Sequence, residues 1–176
     1  MLNSTRGPFM NKLRTMAVIA STVLISHTAA ATVPINGTVQ SKCVITTDTD
    51  GVYGNPNAYT LSTSPADGGV KPRIRYDIVT ANAYHATVTY PNQFSQSPTL
   101  SDTVTWTGSV VVGDSSDAGM SAFESGKITY NNVTEFDLSI AGSVWFDVTS
   151  TASYGVNKAL PAGNYSATVT AECIAQ

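Results

Sequence analysis

The sequence predicts an all-β fold, an antiparallel β-sandwich, on three observations. Apolar and polar residues alternate with a period of two in several separate runs. The composition is that of strands: 43 Ser and Thr, abundant Val and Tyr, and only 12% charged residues against a usual share of about 25%. Turn-forming residues break the runs at short intervals, as in sandwiches. With 176 residues and 42% hydrophobic content, the chain suffices for one domain with a buried core. So little charge argues against a coiled coil, a basic nucleic-acid binder and intrinsic disorder.

The first 31 residues read as a secretory signal. Arg6, Lys12 and Arg14 precede an apolar run from Met16 to Ile25, and Ala29 and Ala31 suit a cleavage site. The run is too short to span a bilayer, which takes about 20 residues. Cleavage would leave a mature chain starting at Thr32 with 6 basic and 12 acidic residues. An acidic exported protein does not seek phosphate backbones.

Cys43 and Cys173 are the only cysteines. In an oxidising compartment an internal disulfide is expected, with free buried thiols or an intermolecular bridge as alternatives.

Along the chain, Ile74, Tyr76 and Ile78 alternate with Arg73, Arg75 and Asp77. Tyr84, Ala86, Val88 and Tyr90 alternate with His85, Thr87 and Thr89; Val104 and Trp106 sit among threonines. Phe136, Leu138 and Ile140 form another such run, and Tyr165, Ala167, Val169, Ala171 and Cys173 the last. Each pattern gives one apolar and one polar face. Expected turns fall at Asp50-Gly51, Gly54-Asn55-Pro56-Asn57, Asp67-Gly68-Gly69, Pro91-Asn92, Gly113-Asp114-Ser115, Ala141-Gly142 and Pro161-Ala162-Gly163-Asn164. Only residues 115–125 suit a helical turn.

Catalytic and metal-binding signals are sparse. His85 is the only mature histidine and lies on a polar strand face, so it reads as a solvated strand residue. Asp48-Thr49-Asp50-Gly51 lacks the further ligands of a calcium loop. No nucleophile elbow, phosphate loop or Cys-x-x-Cys is present. The expectation is a protein without cofactor or metal that is not an enzyme.

Both ends are strand-like. Val33, Ile35, Gly37 and Val39 fall on one face of the first mature segment, opposite Asn36, Thr38 and Gln40. That segment serves either as the first strand of its own sheet or as a strand added to a neighbour's sheet.

Ordered pieces across most of residues 33–172 resemble the major subunits of alpha-type (class 5) chaperone–usher fimbriae, the colonisation-factor pilins. Val33-Pro34-Ile35-Asn36-Gly37-Thr38-Val39 resembles that family's N-terminal donor strand. Asn55-Pro56-Asn57-Ala58-Tyr59-Thr60-Leu61-Ser62-Thr63-Ser64-Pro65-Ala66 resembles a Pro-x-Ala-x-x-Leu-x-x-Ser-Pro-Ala stretch. Pro98-Thr99-Leu100-Ser101-Asp102 with Val104-Thr105-Trp106 is similar to a mid-chain segment. Pro161-Ala162-Gly163-Asn164-Tyr165-Ser166 with Val169 is similar to the run into the last strand.

The resemblance implies an immunoglobulin-like sandwich that is incomplete, missing its last strand and completed by a donor strand from a neighbouring subunit. It implies a signal peptide (1–31), a donor segment (32–42) and a pilin domain (43–176). Val33, Ile35, Gly37 and Val39 would be the donor residues. Tyr165, Ala167, Val169 and Ala171 would face the groove and a periplasmic chaperone, which would also hold the carboxylate of Gln176. The implied partners are further pilins in a homopolymer, the chaperone, an outer-membrane usher and a host-surface receptor. The implied location is a cell-surface fimbria reached through the periplasm, with a role in adhesion. The alternatives are a glycan-binding adhesin or minor tip subunit, using Trp106, Trp145 or surface tyrosines, and a secreted β-sandwich enzyme or inhibitor.

Overall fold

A computed structural model describes residues 34–38, 42–79, 83–156 and 158–176. The expected signal segment, Val33 and Val39 lie outside the described residues. The chain divides into two units, Met1–Gly37 and Thr38–Gln176. In the first unit, the described residues have no regular secondary structure, and Ile35 is 97% exposed.

The second unit is a sandwich of two antiparallel sheets. Its strands are β1 (Cys43–Thr49), β2 (Gly54–Asn57), β3 (Thr60–Ser62), β4 (Arg73–Ile78), β5 (Tyr84–Thr89), β6 (Val104–Ser115), β7 (Ile128–Tyr130), β8 (Val133–Leu138), β9 (Gly142–Tyr154) and β10 (Thr170–Ala175). One sheet follows the order β1-β4-β9-β3-β2, with β6 also paired to β9; the other runs β10-β5-β8-β7. This is the all-β sandwich that the alternation predicts, and it is consistent with the immunoglobulin-like arrangement that the resemblance implies.

The period-two pattern builds the core directly. Ile74, Tyr76 and Ile78 of β4 and Val144, Phe146 and Val148 of β9 face Tyr84, Ala86 and Val88 of β5 and Phe136 and Leu138 of β8. Phe146 lies tilted against Phe136 at 4.3 Å and meets Tyr76 edge-on at 5.3 Å between ring centroids. Each such buried side chain contributes about 1.5–3 kcal/mol.

β9 is the spine of its sheet. Its first half pairs with β4, its second half with β3, and nearly all of it with β6. Its alternation passes from Val144, Phe146 and Val148 to the buried Ser150, Ala152 and Tyr154. The buried main chain at Ser150 exchanges bonds with Thr63: Ser150 N–H donates to Thr63 Oγ1 at 2.8 Å, and Thr63 N–H to the Ser150 carbonyl at 2.9 Å.

Two expected turns are strand instead. Gly54-Asn55-Pro56-Asn57 forms β2, a four-residue edge strand joined to β3 through Ala58 and Tyr59. An outer strand tolerates Pro56, which has no N–H to give. Gly113-Asp114-Ser115 lies within β6, and its flexibility is used in a bulge between Val112 and Asp114. The helical turn expected over 115–125 is present as a 3-10 turn, Ala118–Ser121, followed by the short helix α1, Ala122–Gly126. The final strand begins later than its alternation suggests, at Thr170, because its partner β5 ends at Thr89 and Pro91 follows without a donor.

Candidate binding groove between two edge strands

The site is built by β1 and β10, the outermost strands of opposite sheets on one flank. A disulfide joins Cys43, the first residue of β1, to Cys173 near the end of β10, with 6.3 Å between their Cα atoms. From this link the strands run in opposite chain directions. Ile45, Thr47 and Thr49 form one wall of a groove of about 290 Å³, and Ala171, Val169 and Ala167 form the other. Ile74, Pro72, Tyr53, Thr63 and Ser150 line it further in.

The main chain of both walls points into the opening. Val79 N–H bonds the Lys42 carbonyl at 3.0 Å, so the alternation of an antiparallel ladder turns the backbone of Cys43, Ile45 and Thr47 away from β4. Gln176 N–H bonds the Ala83 carbonyl at 3.0 Å, which likewise turns Ala171 and Cys173 away from β5. Among the described residues no second strand pairs with β1 or β10.

The opposite flank is protected. There β6 is outermost, and α1 covers its edge: Glu124 Oε2 accepts from Val112 N–H at 2.8 Å, and Lys127 Nζ donates to the Val110 carbonyl at 2.9 Å. Lys127 and Glu124 also pair with each other. Side chains thus occupy backbone groups that would otherwise attract another strand.

The groove is partly apolar, with Asp50 and Arg73 the charged residues of its lining. Val169, Ala171, Cys43 and Cys173 pack against the core. Ile45 is 36% exposed. The Tyr53 hydroxyl lies 3.1 Å from Ser150 Oγ, and burial pushes its pKa up. Arg73 is held in a two-point pair with Asp147, at 2.6 and 3.2 Å.

Of the residues expected on the groove, Ala167, Val169 and Ala171 line it. Tyr165 does not: its ring packs edge-on to Phe94 at 5.0 Å, and its hydroxyl donates to the Pro161 carbonyl at 2.7 Å. Gln176 is exposed beyond β10, its side-chain amide donating to Asp137 at 2.9 Å. Gly37 has open space where a Cβ would be. The wall of Ile45, Thr47 and Thr49 has little signal in the sequence, because Thr46-Thr47-Asp48-Thr49 carries almost no apolar contrast between faces.

Other polar groups already have partners. His85 lies on the outer face of its sheet, with Nδ1 3.2 Å from Asp137 and Nε2 3.6 Å from Glu135. Trp106 packs on Phe94 at 4.7 Å. Trp145 donates to Asp48 at 3.3 Å and carries Arg75 over its ring at 5.9 Å. Among the described residues no three His, Cys, Asp or Glu side chains converge on a metal position.

The chain matches no known family model, no curated protein and no solved structure. The disulfide is consistent with an exported protein. No helix among the described residues is long and apolar enough to cross a membrane.

Proposed function

We propose that this protein is a structural subunit of an adhesive surface fimbria, in which the groove of one copy receives the N-terminal segment of the next. The observation that carries the reading is the groove itself: two edge strands on one flank, both with backbone directed into the gap. Val33, Ile35, Gly37 and Val39 supply an alternating segment of the kind such a gap accepts. With Gly37 among the positions that enter, two inward apolar side chains at about 1.5–3 kcal/mol each would contribute roughly 3–6 kcal/mol. That is a large part of the whole stability of a domain, about 5–15 kcal/mol. An unfilled groove therefore leaves the subunit marginal and prone to edge pairing, which calls for a periplasmic chaperone before assembly and an usher during it.

This role needs no catalytic group, and adhesion follows from display of the fibre on the cell surface. The existing contacts of Trp106 and Trp145 favour it over a glycan-stacking site on those rings. The test compares the intact mature chain with one lacking residues 32–40. The intact chain should form ladders in unboiled gels that collapse on heating, whereas the truncated chain should remain a single subunit yet still accept a strand peptide. An intact chain that stays a robust monomer under assembly conditions overturns the reading.

A further inference from the structure

We propose that the Cys43–Cys173 disulfide is a stop for the strand that fills the groove, fixing how far it reaches and limiting it to about three inward side chains. The proposal rests on the reading that a strand from a second copy occupies this site.

A strand bonded on both sides holds its two neighbours about 9–10 Å apart, twice the inter-strand spacing of 4.7–4.9 Å. Cys43 and Cys173 hold the two walls at 6.3 Å between Cα atoms. No strand passes between them there, and the disulfide itself fills the space where an inward side chain would lie.

The other end is bounded as well. Past Thr49, β1 ends and the chain continues into Asp50-Gly51, where the Pro72 ring lies 2.8 Å from the position of a Gly51 Cβ. On the opposite wall, Ala167 and Thr168 come level with Pro91, which also borders the groove and has no N–H. Between these limits three positions of each wall border the groove, Ile45, Thr47 and Thr49 on one side and Ala171, Val169 and Ala167 on the other, with a bulge in β1 between Thr47 and Thr49. They accommodate about five residues of strand, roughly 16 Å at 3.3 Å per residue.

The segment from Val33 to Val39 offers four alternating positions, one more than the groove holds. The stop therefore selects a register in which three of them enter and the fourth stays outside.

The test uses the mature chain with its disulfide intact, refolded with a synthetic peptide of residues 32–40, and reads amide hydrogen exchange residue by residue. The amides of Ile45, Thr47, Val169 and Ala171 should slow by tenfold or more, with Cys43, Cys173 and Ala175 unchanged. Slowing that continues through Cys43 and Cys173 overturns the stop while leaving the occupied groove intact. Absence of slowing at all seven removes the occupant reading and the stop with it. In a second arm, a peptide of residues 33–39 should bind no more than threefold tighter than the better of peptides 33–37 and 35–39. In the Cys43→Ala/Cys173→Ala variant, which opens a fourth position, that gain should rise to tenfold or more. An equal gain with and without the disulfide also overturns the stop.

Discussion

The Tyr76 hydroxyl lies 3.3 Å from the carbonyl of Glu172, so a side chain from the middle of one sheet crosses the core to hold the edge strand of the other. The same hydroxyl reaches the Thr87 carbonyl at 3.3 Å, next to Glu172 in the β5–β10 ladder. Burial, reinforced by the charge of Glu172, raises the Tyr76 pKa far above the ordinary tyrosine range, and it remains a donor at any working pH. Tyr76→Phe should cost about 1 kcal/mol. Thermal unfolding should show a fall of a few degrees, and hydrogen exchange should be fastest along β10.

Replacing Cys43 and Cys173 by serine should cost more than any single core contact. Opening a loop of 130 residues removes about 5 kcal/mol in the chain-entropy account. Denaturant titration with and without reductant is the measurement; a loss under 1 kcal/mol would show that the link restrains little of the unfolded chain.

Ile45→Lys separates stability from assembly. Ile45 lies at the groove wall and is 36% exposed, so the isolated subunit should lose less than about 1 kcal/mol. An incoming strand would bury the new charge without a partner, at a cost of several kcal/mol. On the fimbrial reading, fibre yield should fall sharply with the melting temperature of the free subunit almost unchanged.

Gly54→Ala should be disproportionately destabilising for a residue on an outer strand. A Cβ there would lie 2.1 Å from the Asp67 carbonyl oxygen and 2.7 Å from the backbone of Gly68 and Gly69. The neighbour is main chain and cannot swing aside. A loss of about 1–3 kcal/mol is expected from overpacking, read by denaturant unfolding.

Acid should weaken the domain partly through Asp77. Its carboxylate accepts from the Arg75 guanidinium at 2.6 Å and from Ser143 Oγ at 2.6 Å, and these bonds hold its pKa below the usual range against a smaller opposing effect of burial. A depressed folded-state pKa gives stability that is present above the unfolded value, near 4. It is lost as pH falls through the folded value. Unfolding free energy should thus drop below about pH 4, and Asp77→Asn should flatten part of that drop. An unchanged pH profile in the variant would remove Asp77 from the account.

The strands with strong apolar contrast were legible from sequence: β4, β5 and β8 follow the alternation of Ile74, Tyr84 and Phe136 with their polar neighbours. β9 was harder to see because its second half buries Ser150 and Ala152, which lack a hydrophobic signature. Gly54 and Gly113 look like turn residues, but in the fold one permits close backbone approach and the other a bulge. Ala167, Val169 and Ala171 line the groove on the side that the resemblance implies. Thr47 and Thr49 carry no such signal, since they border the gap through their position on an edge strand, a fact of topology rather than of residue type.

The capping of Val110 and Val112 by Lys127 and Glu124 has a consequence for shape at larger scale. On the proposed reading, a capped β6 edge and an open β1–β10 flank would give each molecule one acceptor position and, through its leading residues, one donor position. Units of that kind would concatenate into an unbranched filament rather than a mat.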